Sequence, residues 1–430
     1  MPVYLDHAAT TPLLPEARSA YIDALSIVGN PSSIHSQGQR ARRLLEESRE
    51  AVAASLGAEP IEVILTSGGT ESINLGVKGL YWARQTGQAD AVRPVVLVPG
   101  GEHHATVDAV EWLAQHEGAE VVELPVDALG RLEPAVLTAA LAQHGASVAL
   151  VSLLWANNEV GTVQPVAELV AAAEAFGVPV HVDAVAAYGY LPIDFHAVGA
   201  AALSVSAHKI GGPVGVGALV LARRSTVEPL IHGGSQQRVR SGTQDAAGAA
   251  AFAAAARRVT AEFAGAVSTG GSGAVSGAGL GAVAGSGTVS VAGSGYLAEI
   301  TRLRDRLVAG VREAVPDAVL RGDPSPAGRL PGNAHFTFPG CEGDSLLFLL
   351  DMAGFSVSTG SACQAGVPEV SHVLTAMGVP DDEARGALRF TLGHGTTVEE
   401  VDALVAALPA AYTAARKAGF AARVVVAPLP

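Results

Sequence analysis

The sequence has few cysteines, few aromatic residues and no long apolar run, and each shortage excludes a class of protein. Its two cysteines, Cys341 and Cys363, are too few for a disulfide framework and predict a reducing, cytoplasmic compartment. Aromatic residues make up only 5% of the chain, so small and aliphatic side chains must form the core. No apolar run is long enough to span a membrane, and the first residues lack a secretory signal pattern. We therefore expect no membrane association.

A net charge of −14 argues against a general nucleic-acid surface. The run "RARRLLEESRE" at residues 40–50 leaves a local basic patch open as an alternative. We interpret this run as the solvent-exposed face of a helix, with ion pairs between residues four apart. No direct contact with nucleic acid is expected.

Seven short apolar segments alternate with amphipathic helical patterns between residues 61 and 221. The segments are "EVILTSG", "PVVLVPG", "AEVVELP", "SVALVSLLWA", "VPVHVD", "ALSVSAH" and "VGALVLA". The stretches "TVDAVEWLAQHEG" and "PVAELVAAAEAFG" between them have helical periodicity. Buried strands joined by helices predict an α/β fold, in which a mainly parallel seven-stranded sheet lies between helices.

The pattern changes after residue 245 to long helices and mixed short strands, which predict a smaller α+β domain. We expect residues 13–245 to form the large domain, and residues 1–12 with 246–430 to form the small one. Residues 265–295 contain only Gly, Ala, Val, Ser, Thr and Leu, in a rough eight-residue repeat. Such a segment buries too little surface to offset its ordering entropy, so we interpret it as a flexible insert. A short glycine-rich strand or docked turn is the alternative.

Polar residues cluster where the predicted strands end, which is where parallel sheets bind ligands. In "TSGGTES", Gly69 and Thr70 introduce a helix whose free N–H groups suit a phosphate, although such turns are common. Ser206 and His208 supply further donors to the same anion. Asp183 ends the strand "VPVHVD" and either caps a helix or pairs with a protonated ring nitrogen.

Lys209 follows in "SVSAHKIGGPVGVG", a crowded turn on which a surface charge is unusual. An amine held between a phosphate site and a ring-nitrogen partner can form a Schiff base, as in pyridoxal-phosphate enzymes. Burial lowers the pKa of such an amine and makes it nucleophilic. The sequence therefore predicts pyridoxal 5'-phosphate as cofactor and no metal.

Ten motifs in order give the chain its resemblance to a known family. They are "YLDHAATTP", "GNPSSIH", "TSGGTESIN", "EHHA", "NNEVGTVQP", "HVDA", "SAHK", "GGSQQRVRSGT", "GSAC" and "ALRFTLG". With these motifs the chain, apart from the insert, resembles the cysteine desulfurases of the class V aminotransferase group, which are fold-type I pyridoxal-phosphate enzymes. The resemblance implies conversion of L-cysteine to L-alanine and transfer of the sulfur to an acceptor.

The resemblance also implies roles for individual residues. Lys209 bonds the cofactor covalently. The other site residues contact the cofactor ring, the cofactor phosphate or the substrate. They are His103, stacked on the ring and a second acid/base; Asn157, at the phenolic oxygen; Asp183, at the ring nitrogen; Gly69, Thr70, Ser206 and His208, at the phosphate; Thr243, at the phosphate of a neighbouring subunit; and Arg389 with Asn30, at the substrate carboxylate.

Cys363, in the Gly/Ser-rich stretch "STGSACQAGVPE", is either a small buried apolar residue or a reactive thiol. In the resembled family this cysteine takes the substrate's sulfur as a persulfide. Cys341 matches no family motif, and we interpret it as structural. The implied partners are a second copy of the chain, through Thr243, and a sulfur acceptor such as an iron–sulfur scaffold or a tRNA-thiolating enzyme.

Four positions depart from the family pattern: Ala186 replaces a common Gln, Val214 a common Lys, and Thr391 and His394 replace the Ser and Arg of "SLGR". These departures leave other readings open. One is a selenocysteine lyase, a cysteine sulfinate desulfinase or an aminotransferase of the same fold, although "GSAC" disfavours an aminotransferase. Another is a non-catalytic scaffold that regulates a partner, which the presence of Lys209 and Cys363 disfavours.

Overall fold

The computed structural model describes residues 2–85, 92–268, 295–360 and 370–425, and in residues 265–268 and 419–425 it describes the backbone alone. The strands, in chain order, are β1 (Val3–Tyr4), β2 (Val63–Thr66), β3 (Val95–Pro99), β4 (Glu120–Leu124), β5 (Val148–Leu154), β6 (Val180–Asp183), β7 (Ala202–Ser206), β8 (Gly217–Leu221), β9 (Val319–Arg321), β10 (Asn333–Thr337), β11 (Phe355–Ser356) and β12 (Ala387–Thr391).

The helices surround these strands. In chain order they are α1 (Pro15–Leu25), α2 (Ser36–Ser55), α3 (Gly69–Gln85), α4 (His104–Glu117), α5 (Pro134–His144), α6 (Val166–Glu174), α7 (Phe195–Val198), α8 (Ala246–Ser268), α9 (Tyr296–Ala314), α10 (Gly343–Met352), α11 (His372–Ala376), α12 (Asp381–Ala384) and α13 (Val398–Val425).

The main sheet contains seven strands in the order β2-β8-β7-β6-β5-β3-β4. Only β8 runs against its neighbours, β2 and β7, so the predicted mainly parallel sheet is confirmed. Helices cover both faces: Ile73 and Leu80 of α3 belong to one apolar cluster, and Val52 of α2 and Phe252 of α8 belong to another. The carboxyl ends of β3, β5, β6 and β7 consequently lie along one edge, where the predicted site residues follow them.

Two smaller sheets lie outside this layer. One is antiparallel, in the order β12-β10-β9, and the other pairs β1 with β11 in parallel. Apolar side chains of α9, α10 and α13 pack with these strands into a separate core that includes Leu307, Phe336, Leu346 and Leu404. The predicted strands and helices of the second half are therefore present. The exact division of the chain into two domains stays a prediction.

Two expectations of burial are corrected. The segment "AEVVELP" was expected to form a buried strand, but β4 is the edge strand and its Glu120 and Glu123 are exposed. The run 40–50 does form an exposed helix face, yet Arg49 lies buried within it. The Arg49 guanidinium donates to the Val63 carbonyl and to Gln236 Oε1 at 3.2 Å, so this arginine supports the core rather than the solvated face.

The predicted insert at 265–295 falls mostly outside the described residues. The α8 backbone continues through Ser268, and the described chain resumes at Gly295, immediately before α9. The interpretation of this segment as flexible stays a prediction. Among the described helices, none has a stretch long and apolar enough to cross a membrane.

Candidate active site

Lys209 ends a single 3-10 turn, Ala207–Lys209, that directly follows β7. Its amine donates to the backbone carbonyls of Ala8 and Ala9, the latter at 3.0 Å, and so ties the N-terminal segment to the main sheet. Burial, reinforced by the Arg389 charge, lowers the pKa of Lys209 to about 8, although the carboxylates of Asp183 and Asp6 oppose this shift. A larger fraction of this amine is therefore neutral at pH 7 than of an ordinary lysine.

Asp183 stands at the end of β6, the strand beside β7. Its carboxylate is buried and accepts a hydrogen bond from the Val185 N–H at 2.9 Å. Burial raises its pKa to about 6, against the opposing effects of that hydrogen bond and of the Lys209 charge. A cationic partner, such as the predicted protonated ring nitrogen, would stabilise the ionised form of this buried carboxyl group.

This burial makes a testable prediction about the cofactor-free protein. The unfolded chain releases the Asp183 proton near its ordinary pKa of 3.8, whereas the folded chain keeps it to about pH 6. Because the folded state binds more protons in that window, stability falls as the pH rises from about 4 to 6. Asp183→Asn lacks this titration. As the pH rises from about 4 to 6, its free energy of unfolding should therefore increase relative to that of wild type, by about 1.4 kcal/mol for each pKa unit of the shift. Urea unfolding at several pH values measures the difference, and parallel pH profiles would contradict the assignment.

The candidate phosphate site lies where β2 and β7 end. A Cβ atom added to Gly69, at the start of α3, would lie 2.9 Å from Val185 Cγ2 and 3.6 Å from Ser206 Cβ. The Ser206 hydroxyl is buried and has no hydrogen-bond partner among the described residues. His208 Nδ1 lies 3.2 Å from Thr10 Oγ1, and Thr70 is exposed in the first turn of α3. A free helix N-terminus beside an unpaired buried hydroxyl suits an anion.

Asn157 and His103 follow the neighbouring strands β5 and β3. The Asn157 amide donates to the Gly101 carbonyl at 3.1 Å, which joins the two segments. His103 is the N-cap of α4, and its Nδ1 accepts from the Ala105 N–H at 3.0 Å. Burial and then the Lys209 charge lower the pKa of His103 to about 4. The ring is therefore neutral at pH 7, and because Nδ1 accepts a hydrogen bond, Nε2 carries the ring proton.

Arg389, on β12, brings the small sheet to the same site. Its Nη2 donates to Asp6 Oδ1 at 2.8 Å and its Nη1 to the Asn158 carbonyl at 2.9 Å, while Nε is buried without a partner among the described residues. Asp6 lies within the motif "YLDHAATTP", but no local sequence feature predicted its contact with Arg389. The Asp6 carboxylate therefore already orients the guanidinium that is predicted to bind the substrate carboxylate.

Two predicted residues are not brought into this cluster. Asn30 is exposed, its Oδ1 accepts from the Ser32 N–H at 2.9 Å, and no described hydrogen bond joins it to Arg389. Thr243 is exposed as well. Its loop is held near the phosphate site by Arg240, which donates to Glu71 Oε1 at 2.7 Å in the first turn of α3. Neither position tests the predicted role.

The two cysteines are in different situations. Cys363 and the rest of residues 361–369 lie outside the described residues. Cys341 is buried, and burial raises the pKa of its thiol to about 11. A thiol with so high a pKa is protonated at neutral pH and unreactive, which agrees with the predicted structural role.

The departures from the family pattern lie in different environments. Ala186 lines a pocket together with Lys209, His7 and Tyr190. The side chain of Val214 is largely exposed. His394 stacks on the Tyr296 ring, with centroids 3.9 Å apart, and lies 2.7 Å from Arg258 Nη2. His394 therefore supports the packing of α8 and α9, whereas Ala186 and Thr391 both line the pocket that contains Lys209.

Within the described residues, no group of three or more His, Cys, Asp or Glu side chains is arranged to hold a metal ion. The titrating groups of the cluster instead interact with one another. The charge of Lys209 affects the pKa values of Asp183 and His103, and the charge of Arg389 affects that of Lys209. A half-buried amine, a buried carboxyl group and an anion site around one sheet edge define the class of enzymes that bind pyridoxal phosphate through a lysine.

Comparison with known proteins assigns the family. The model of the family described as Aminotransferase class-V matches residues 3–404. The chain is 50% identical over 420 residues to the IscS-like cysteine desulfurase of Mycobacterium tuberculosis, covering 97% of this chain and 98% of that protein. It is 38% identical over 402 residues to the cysteine desulfurase IscS of Dictyoglomus turgidum, covering 93% and 92%.

A solved structure titled NIFS-like protein agrees in fold, with a TM-score of 0.81 at 30% identity over 96% of this chain and 100% of that one. The chain belongs to the class V aminotransferase family and, within it, to the cysteine desulfurases, whose cofactor is pyridoxal phosphate. The resemblance found in the sequence motifs is thereby confirmed.

Proposed function

We propose that the protein is a pyridoxal-phosphate-dependent cysteine desulfurase, which converts L-cysteine to L-alanine and leaves the sulfur as a persulfide on Cys363. The observation that carries the proposal is the position of Lys209. Its amine has a lowered pKa, and its charge interacts with Asp183, His103 and Arg389. The relatives that share most of the chain carry the name of this activity.

The side chains fit the cofactor. Ser206, with its unpaired buried hydroxyl, would hold the phosphate together with the N-terminus of α3, Thr70 and His208. Asp183 would pair with the ring nitrogen, His103 would stack on the ring and Asn157 would lie at the phenolic oxygen. When bound, pyridoxal phosphate withdraws electrons from the substrate carbons next to the amino group.

The protein's own groups would then bind the substrate and move its protons. Arg389 would hold the substrate carboxylate, and Asp6 fixes the guanidinium plane. Lys209 moves the proton at Cα, with His103 as a second acid/base. The Cys363 thiolate attacks the substrate's sulfur, so an S–S bond forms while the C–S bond breaks. The electron pair of the C–S bond stays with the substrate carbon, which takes up a proton and becomes the methyl group of alanine.

The experiment that tests this function measures alanine release with cysteine, selenocysteine and cysteine sulfinate as substrates. Fastest alanine formation from cysteine, with a persulfide on Cys363, supports the proposal. A clear preference for selenocysteine or the sulfinate assigns the chain to one of the alternative activities. A preparation that binds pyridoxal phosphate but releases no alanine from any of them would indicate the non-catalytic scaffold.

The unpaired hydroxyl of Ser206 gives a second prediction with two separate readouts. Ser206→Ala removes a donor that is buried and unpaired in the cofactor-free site, so the stability of that form should be unchanged or slightly increased. A hydrogen bond to a charged group contributes about 1.5–3 kcal/mol, so cofactor affinity should fall by about 10- to 100-fold. Thermal unfolding and cofactor titration measure the two effects. A loss of stability without a loss of affinity would show that Ser206 has a purely structural role.

The proposal includes a homodimer, a protein sulfur acceptor and a cytoplasmic location. An exposed apolar stretch from the end of α1 into the following loop, with Ile22, Leu25, Val28 and Ile34, supports association with a second copy. In such a dimer Thr243 would reach the phosphate of the other subunit. The acceptor would be an iron–sulfur scaffold or a tRNA-thiolating enzyme, and the small number of cysteines fits the cytoplasm. Light scattering tests the oligomeric state, which should be a dimer.

A further inference from the structure

Glu159 is a buried residue that is hydrogen-bonded to Asn157 of the candidate cofactor site and to Ser371, which stands just after the segment 361–369. Its backbone N–H donates to Asn157 Oδ1 at 2.9 Å, and its carbonyl accepts from Asn333 Nδ2 at 2.9 Å. Only 2% of its surface is exposed, and the preceding Asn158 carbonyl accepts from Arg389. The backbone of Glu159 is thus fixed by the side chains expected to contact cofactor and substrate.

The Glu159 side chain reaches the C-terminal end of the segment 361–369. Its Oε2 accepts a hydrogen bond from Ser371 Oγ at 2.6 Å. The same hydroxyl accepts from the Leu374 N–H at 3.2 Å as the N-cap of α11. The next residue, His372, has its Nε2 2.7 Å from the Glu102 carbonyl, beside His103. The residues that follow the segment are therefore held by two of the strand-end loops of the site.

The residue before the segment, Gly360, lies near the same carboxylate. Gly360 has a φ of +89°, and a Cβ atom there would lie 3.4 Å from Glu159 Oε2 and 3.3 Å from His335 Nε2. Both nitrogens of His335 are buried without a partner among the described residues. Gly360 also donates to Ser358 Oγ at 3.0 Å, and Ser358 pairs through its backbone with Arg389. Oε2 of Glu159 is thus hydrogen-bonded to Ser371, after the segment, and lies near Gly360, before it.

We propose that Glu159 is a positioning residue that fixes, through Ser371, the C-terminal end of the segment carrying Cys363 relative to the substrate arginine and the cofactor loops. The inference rests on the proposed function, because it assigns a use to the position of Cys363. Glu159 acts through Ser371 and takes no part in bond making. A thiol that must reach the substrate's sulfur loses rate steeply when its position is less well defined.

Four variants and one control test this role. Glu159→Ala removes the acceptor, whereas Glu159→Gln keeps an oxygen that Ser371 can donate to. Ser371→Ala removes the donor from the segment's own end, and Ser371→Thr keeps the hydroxyl. Glu62→Gln is the control, because Glu62 is also buried but accepts from the Glu59 N–H at 2.9 Å, away from this segment.

We expect Glu159→Ala and Ser371→Ala to form alanine in a single turnover about tenfold more slowly or worse, with cofactor content and substrate affinity within about twofold of wild type. Glu159→Gln, Ser371→Thr and Glu62→Gln should stay within about threefold of the wild-type rate. The rate of Cys363 alkylation by iodoacetamide, measured without substrate, should rise at least about threefold in the two alanine variants.

The readouts separate positioning from general support of the fold. Wild-type rates of turnover and alkylation in both alanine variants would overturn the proposal, and so would a loss of cofactor binding as large as the loss of rate. Should Glu159→Ala fail to fold, Ser371→Ala decides by the same measures. A wild-type protein that releases no alanine would refute the proposed function. The role of Glu159 could still be tested in that case, because the Cys363 alkylation rates of the variants and the wild type can be compared without catalysis.

Discussion

Lys209→Ala is expected to abolish turnover of cysteine, with a rate loss of about a thousandfold or more. The amine is expected to bond the cofactor and then to move the substrate's α-proton, so its removal disables two steps at once. Ser206, Asp183 and the N-terminus of α3 remain, so the variant should still bind pyridoxal phosphate, more weakly and without the visible absorbance of the lysine-bound form. Absorbance spectra, cofactor titration and alanine release measure these effects.

Two controls accompany this experiment. Lys209→Arg keeps a positive charge near the Ala8 and Ala9 carbonyls but cannot form the bond to the cofactor, so it should be as inactive as the alanine variant. Lys417→Ala, at an exposed position of α13, should be fully active. Turnover of Lys209→Ala at the wild-type rate would show that the assignment of the cofactor lysine is wrong.

Cys363→Ser should lose sulfur transfer from cysteine to a similar extent, because a hydroxyl is a far poorer nucleophile towards sulfur than a thiolate. Cofactor content and the spectral change on adding cysteine should be preserved, since Lys209 and Arg389 are intact. Alanine assays, together with mass spectrometry of the wild-type protein after cysteine treatment, measure the two parts. The added mass of one sulfur atom should be found on the peptide containing Cys363.

Cys341→Ala is the matched control for this second experiment. Cys341 is buried, its Sγ lies 3.8 Å from the Tyr412 carbonyl, and its thiol is protonated at neutral pH. The variant should keep the wild-type turnover, with at most a loss of stability from the cavity that it leaves. A persulfide on Cys341, or normal sulfur transfer by Cys363→Ser, would refute the proposed role of Cys363.

The strand ends show how much of the site could be predicted from the sequence. Asp183 and Lys209 follow apolar strands that are adjacent and parallel in the sheet, and parallel strands carry their carboxyl ends to a common edge. Local pattern and general topology were therefore enough to bring these two residues together. The seven strands were predicted for the same reason, because buried parallel strands are nearly continuous apolar runs.

What the sequence could not supply depends on contacts between distant segments. Arg49 has the local pattern of a solvated helix, but it is buried by distant segments, including Gln236 from 187 residues away. Asp6 is separated from Arg389 by 383 residues, and no periodicity links them. Glu159 stands in an unremarkable polar run whose meaning comes from Ser371, 212 residues later. The edge position of β4 likewise follows from strand order, which local sequence does not encode.

The first residues of the chain also impose an order of events during synthesis. Val3 pairs with Phe355, the Ala8 N–H donates to Thr391 Oγ1 across 383 residues, and the Ala8 and Ala9 carbonyls hold the Lys209 amine. At a ribosomal rate of about 5–20 residues per second, the N-terminal strand waits about 20–80 s for these partners. The main sheet can form during that wait, but the segment that closes the lysine site cannot. A nascent chain therefore keeps its catalytic centre open until Phe355 and Thr391 have been synthesised.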